Sequence, residues 1–411
     1  MFHLLYIFLR ALIIFYCITI GGSFNAFYIE NKLYFIGPFS TGHFYIDLKD
    51  VSLENGTIYT TQWIPLASPD YIKSNNPFIG GNSNKKIFFI DISSYGLYVD
   101  TFNTELNEWK LNNSYKGLPN GNSITDLTNS WITNETTGIS YSFRGSTYTG
   151  VVIFDTINFA WINSTSSPQN LYPKSSLIFG CVPVLLSNGQ ILYIGGDPDR
   201  INQPLMSGIL TYDSIKDSWQ INNTTGKAPE ERNKHTAVLA SDERVIIYGG
   251  KSILNKSLPA IPNLAVLDTS KTPFEWSTPI EENSIGFLNG HTSIMVKNYM
   301  ITTFGTNSTE KGINIGTVEN IYKLDTSNLS NYKWSLLSNF DDKSIPISKS
   351  NSSQISPITP IQPNSASDNA SFDNFVITKL STRWIVTILA IVIIFACLLI
   401  FFIYKFIQNK K

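Results

Sequence analysis

The chain has 411 residues, with 30 Lys and Arg against 31 Asp and Glu and a formal net charge of -1. With 43% hydrophobic and 13% aromatic residues it is too apolar for a disordered tail and too long for a mini-protein, so it must bury a sizeable core. No basic run occurs outside the last few residues, which leaves no electrostatic footprint for nucleic acid.

The first 23 residues carry an apolar run from Ala11 to Ile20 followed by the small residues Gly21, Gly22 and Ser23. This pattern predicts a secretory signal peptide, or an uncleaved anchor given Arg10, and either version sends the following chain across a membrane.

From residue 24 to 337 one motif is written six times. Tryptophan recurs at Trp63, Trp109, Trp161, Trp219, Trp276 and Trp334, 46 to 58 residues apart. Each is preceded by a strand ending in Asp, at Asp47, Asp100, Asp155, Asp213, Asp268 and Asp325. Before that comes an apolar run ending in Gly or its replacement: Gly37-Pro38, Asp91-Ile92, Arg144-Gly145, Gly195-Gly196, Gly249-Gly250 and Gly305-Thr306. Three marks in a fixed order predict four short strands per unit. The second strand is continuously apolar and so buried on both faces. Glycine lets the backbone turn with positive φ, and Trp fills the wedge between neighbouring sheets, so these residues are read as scaffold.

This pattern resembles kelch repeats, and Pro229 to His235 (PEERNKH) resembles the Arg-x-x-His element that opens many of them. The resemblance covers roughly Phe24 to Leu337, is best in the fourth and fifth units, and implies an all-β, six-bladed kelch-like β-propeller. In such a fold the loop after strand two and the link to the next unit emerge on one face. In this sequence the turns between strands one and two are brief, as at 187–190, whereas the other set is long, as from Asp197 to Ser207, Lys251 to Pro262 and Thr306 to Asn320. One long-loop face is therefore expected to bind. Its charged candidates are Asp197, Asp199, Arg200, Arg232, Lys251, Glu310 and Lys311.

Residues 338–383 are rich in Ser, Pro and Asn and predict a disordered stalk. Ile385 to Tyr404 is twenty residues without a charge, flanked by Trp384 and Arg383 on one side and Lys405 on the other. This predicts a transmembrane helix over 384–404, a lipid-bilayer partner, and a cytoplasmic tail at 405–411. Eleven Asn-x-Ser/Thr triplets, at Asn55, Asn112, Asn134, Asn163, Asn222, Asn223, Asn255, Asn307, Asn328, Asn351 and Asn369, mostly fall where loops are expected and suit a glycosylated lumenal domain. Cys17 and Cys397 lie in the two apolar ends, so Cys181 has no disulfide partner and no Cys-rich zinc site can form.

Kelch propellers include galactose oxidase-like copper enzymes, a resemblance that would imply two His and two Tyr on copper with one Tyr linked to a Cys. Here His43, His235, His291 and Cys181 are the available residues, and the matching places of His235 and His291 assign them to the repeat. No nucleophile elbow, Walker loop or His-Glu-x-x-His helix occurs. The sequence therefore favours a non-catalytic, cofactor-free, single-pass membrane protein of the secretory route. Its propeller would bind a protein or glycan at the plasma membrane; a membrane-tethered carbohydrate oxidase is the alternative.

Overall fold

The computed structural model describes residues 24–338 apart from 38–42, 55–63, 67–75, 94–95, 120–129, 144–149, 172–177 and 199–204. Trp63, Gly145, Asn55, Asn351 and Asn369 lie outside the described residues, as do the expected signal, stalk and membrane helix. Among the described residues no helix is long and apolar enough to cross a membrane.

Among the described residues six four-stranded antiparallel units follow one another. The first comprises Asn25–Ile29, Lys32–Ile36, His43–Asp47 and Ile64–Leu66. The second is built from Phe78–Gly80, Lys86–Ser93, Gly96–Asn103 and Glu108–Lys110, and the third from Trp131–Asn134, Ile139–Phe143, Val151–Asp155 and Ala160–Ile162. Val182–Leu185, Gln190–Ile194, Gly208–Asp213 and Ser218–Gly226 make the fourth; Thr236–Leu239, Arg244–Tyr248, Leu264–Asp268 and Phe274–Ser277 make the fifth. The sixth is Thr292–Val296, Tyr299–Thr303, Ile321–Asp325 and Asn331–Ser338. In each unit the strands pair in sequence order, a meander whose short connections set the register.

The core lies between the units. Second strands such as Arg244–Tyr248 are buried on both faces, as their unbroken apolar runs require. One hydrophobic cluster joins the first and second units through Tyr34, Ile36 and Phe89, and equivalent clusters join each later pair. A further cluster sets Leu33, Phe35 and Phe44 of the first unit against Val296, Ile301 and Leu337 of the sixth. Lys323 of the sixth unit also donates to the Leu53 carbonyl. First strands abut one another from the second unit through to the sixth, and that of the sixth abuts that of the first. The arrangement is propeller-like.

Each described repeat Trp packs back onto the preceding unit, which explains its period. Trp276 sits among Val184, Ile194 and Ile209, and its indole N–H donates to the Met206 carbonyl at 2.8 Å. Trp334 likewise lies 4.8 Å from the Tyr248 ring and donates to Glu281.

The acidic mark has an equally local cause. The side chains of Asp155 and Asp213 each accept two backbone N–H groups of the turn that follows, an Asx-turn that fixes the connection between strands three and four. In the second unit this role belongs to Asn103, whose side-chain Oδ1 accepts the backbone N–H groups of Glu105 and Leu106, and not to Asp100, which is buried within the strand. The correction removes an irregularity: Asn103 stands six residues before Trp109, the spacing of Asp155–Trp161 and Asp213–Trp219. Asp91-Ile92 also proves to be mid-strand, because Lys86–Ser93 pairs directly onward with Gly96–Asn103.

Past the outer strands of the second, fourth and fifth units the chain runs along the next unit's outer strand before turning inward. Thr224–Gly226 pairs in parallel with Phe274–Trp276, Ile280–Glu282 with Asn331–Lys333, and Lys116 bridges Ala160. Between the third and fourth units a carboxylate does this work. Asp217 accepts from the hydroxyls of Ser164 at 2.5 Å, Ser166 at 2.6 Å and Tyr212 at 2.9 Å. Partial burial opposes its ionisation, but those bonds outweigh it and hold the carboxyl down at about 2.

The glycine pairs are joints between units. Gly249 has φ 64, and a Cβ there would fall against the Leu288 carbonyl and 2.9 Å from the His291 ring of the next unit. Gly250 has φ 97, with Asn233 and His235 of its own unit in the same position. Replacing Gly249 by Ala should lower stability by about 2–3 kcal/mol. Gly290→Ala is the matched control, since it shares φ 64 but meets nothing within 4 Å, and should cost about 1 kcal/mol. Comparing the two thermal midpoints separates steric contact from dihedral strain.

Candidate binding face

On the fourth, fifth and sixth units the loop after strand two folds back onto the link that enters strand one. The result is a small ribbon above each unit: Ile178–Phe179 with Asp197–Pro198, Arg232–Asn233 with Lys251–Ser252, and Phe287–Asn289 with Thr306–Ser308. The last gains a third strand, Asn314–Thr317, exposed along its whole length.

These loops touch. Lys256 of the fifth unit contacts Asp197 of the fourth at 2.6 Å, and Asn233 donates to the same carboxylate oxygen at 3.4 Å. Gly312 of the sixth unit packs against the Ser257 carbonyl of the fifth. The three ribbons therefore form one continuous surface carrying exposed apolar side chains: Phe179, Leu254 (74% exposed), Ile313 and Ile315 (61%). Beside Ile315 lies a hollow of about 330 Å³ lined by Asn307, Gly316 to Asn320 and Tyr322.

The charged residues expected on this face divide. Asp197 lies on it but is engaged by Lys256, and Lys251 is half-buried in its ribbon. Glu310 and Lys311 are exposed at the tip of the sixth unit's loop. Asp199 and Arg200 lie outside the described residues.

Arg232 requires correction as a binding residue, for it is 0% exposed. Its Nε donates to the Glu230 carbonyl at 3.1 Å, Nη1 to that of Gly249 at 2.9 Å and Nη2 to that of Pro262 at 2.8 Å. Burial lowers its pKa to about 10, with Glu230 and Glu231 pulling the other way, so it stays charged and clamps the loops from beneath. Glu231 completes the clamp. Its Oε1 accepts the backbone N–H groups of Leu205 and Met206, each at 3.0 Å, and burial raises its carboxyl above the ordinary range. Sequence reasoning missed both roles; the Arg-x-x-His pattern marked the position without indicating which way the guanidinium turns.

The three described histidines each sit in a different unit. His43 lies in the first unit beside Phe89 and Trp109, while His235 and His291 enter the fifth and sixth units against Gly195 and Gly249. Burial lowers both His235 and His291 to about 3, so each is neutral, and the Nε2 of His291 shares a 2.8 Å hydrogen bond with Thr236. Cys181 is buried with Tyr193 in the cluster between the third and fourth units, its thiol pushed up to about 12 by desolvation. Among the described residues no group of three or more His, Cys, Asp or Glu could hold a metal. His43, His235, His291 and Cys181 each pack in a different inter-unit layer.

No family model matches the chain, and no curated protein does. Among solved structures it resembles that of YjhT, with a TM-score of 0.51 and 12% identity, over 77% of this chain and 97% of that one. At that identity the likeness speaks for the fold alone, and it supports a propeller-like β architecture.

Proposed function

We propose that the six units are the blades of a closed kelch-like propeller that binds a protein partner through the ribbon surface of its fourth to sixth blades, as a non-catalytic module. The observation that carries this reading is the continuity of the three ribbons. Propeller scaffolds would need only short turns there, yet these loops are long, mutually bonded, and present Phe179, Leu254, Ile313 and Ile315 to solvent. Exposed aliphatic side chains suit a protein surface better than a sugar, for which aromatic platforms would be expected. The apolar stretches before residue 24 and over 384–404 support display on the lumenal or cell-surface side, tethered to the bilayer.

The test uses full-length chain in detergent, with partners sought by proximity labelling at the membrane and glycans by an immobilised panel. Ile315→Asp and Leu254→Asp should each weaken partner binding at least tenfold. Leu106→Asp, in an exposed turn of the second unit, should leave it unchanged. Saturable binding that ignores Ile315 and Leu254 would sink the assignment of this face.

A further inference from the structure

We propose that the outer edge of the second, third and fourth units is a glycan-bearing arc whose acceptors are Asn112, Asn163 and Asn223. The inference rests on the lumenal topology above. These residues follow the outer-strand tryptophans of three consecutive units, three, two and four positions after Trp109, Trp161 and Trp219. All three are exposed. The fifth and sixth units continue from Trp276 and Trp334 as Ser-Thr-Pro and Ser-Leu-Leu, so the arc stops there.

The tandem at Asn222 and Asn223 shows how the fold chooses between overlapping acceptors. Side chains alternate sides along the strand Ser218–Gly226. Asn222 is half-buried and its Nδ2 donates to Thr211 Oγ1 at 3.0 Å, whereas Asn223 is exposed. Asn307 is withdrawn in the same way, with its Nδ2 donating to the Ile285 carbonyl at 3.1 Å. Transfer needs that nitrogen free. It forms the bond to the anomeric carbon of an oligosaccharide carried on a lipid pyrophosphate, the anomeric C–O bond breaks, the pyrophosphate leaves with the electron pair, and the amide gives up one proton. The product keeps one N–H but carries a sugar on the same nitrogen, which must then fit the folded chain, and the half-buried Nδ2 of Asn222, held 3.0 Å from Thr211 Oγ1, leaves less room for it than the exposed Asn223.

Occupancy is read on full-length chain from a eukaryotic secretory host, by glycan release in heavy-oxygen water and mass spectrometry of the resulting Asp residues. Conversion is expected at Asn112, Asn163 and Asn223 and not at Asn222. N222Q and N223Q each leave the other triplet intact, so only N223Q should lose one glycan from the chain. Occupancy of Asn222 in N223Q would overturn the proposal. So would an arc left bare while Asn255 or Asn328, exposed elsewhere, carries glycan, and that result would leave the topology standing. Absence of glycan at every triplet would overturn the topology and the arc together.

Discussion

Replacing Arg232 by Met should lower the stability of the chain by about 3–5 kcal/mol, the range seen when one partner of a buried charged network is removed. The cause is not lost charge alone. Three carbonyls, of Glu230, Gly249 and Pro262, converge on this one guanidinium, and a thioether leaves the buried Gly249 carbonyl and the two part-buried ones without that donor. The effect should also reach beyond the site. Glu230 accepts the Ile261 N–H at 3.1 Å and Glu231 holds Leu205 and Met206, so this tripeptide ties the loops of the fourth and fifth units to one another. Lysine should restore less than half of the loss, because a single ammonium cannot reproduce the planar fork that meets carbonyls in three directions. Urea unfolding midpoints of the wild type, Arg232→Met and Arg232→Lys decide the matter. A Met variant as stable as the wild type would mean that the arginine is not the keystone of these loops.

The same residue shows where the sequence is informative and where it stops. Period, order and pleat were legible because they follow from one-dimensional rules. A continuously apolar second strand is buried on both faces, an Asp before a tight turn caps it, and a Trp in the strand that follows fills the wedge to the preceding unit. Those rules failed locally at Asp100, where the turn uses Asn103 instead, since amide and carboxylate oxygens accept the same backbone N–H groups. Arg232 was misread for a different reason. A charged residue in a long loop is normally solvated, and only the convergence of carbonyls from Gly249 and Pro262, 17 and 30 residues away, makes burial favourable. The ribbons had no signature either, because two-residue strands such as Arg232–Asn233 carry no periodicity. Asp217 was likewise invisible, its partners Ser164 and Ser166 lying about fifty positions upstream.

Acid should unfold this protein through His235 and His291. Both are held near 3, against 6.5 when solvated, principally because burial disfavours the imidazolium; Arg232 adds repulsion at His235. A folded-state pKa below the unfolded one means that the unfolded chain takes up more protons. The stabilisation is therefore complete above pH 6.5 and is lost as pH falls toward about 3. Each histidine contributes a slope of about 1.4 kcal/mol per pH unit in that window, so the pair should cost roughly 5 kcal/mol by pH 4.5. Neither imidazole can simply turn outward to be protonated. His235 packs on Gly195 and Gly250, and His291 packs on Gly249 while bonded to Thr236, so charging either ring opens a joint between units. His291→Gln, whose amide can still meet Thr236, should be less stable than the wild type at pH 7.5 yet lose only about half as much between pH 7.5 and 4.5. Urea midpoints at the two pH values measure this directly. Equal losses in the two proteins would remove His291 from the account, since Asp217, held at about 2 against 3.8 when solvated, gives up its stabilisation only below this window.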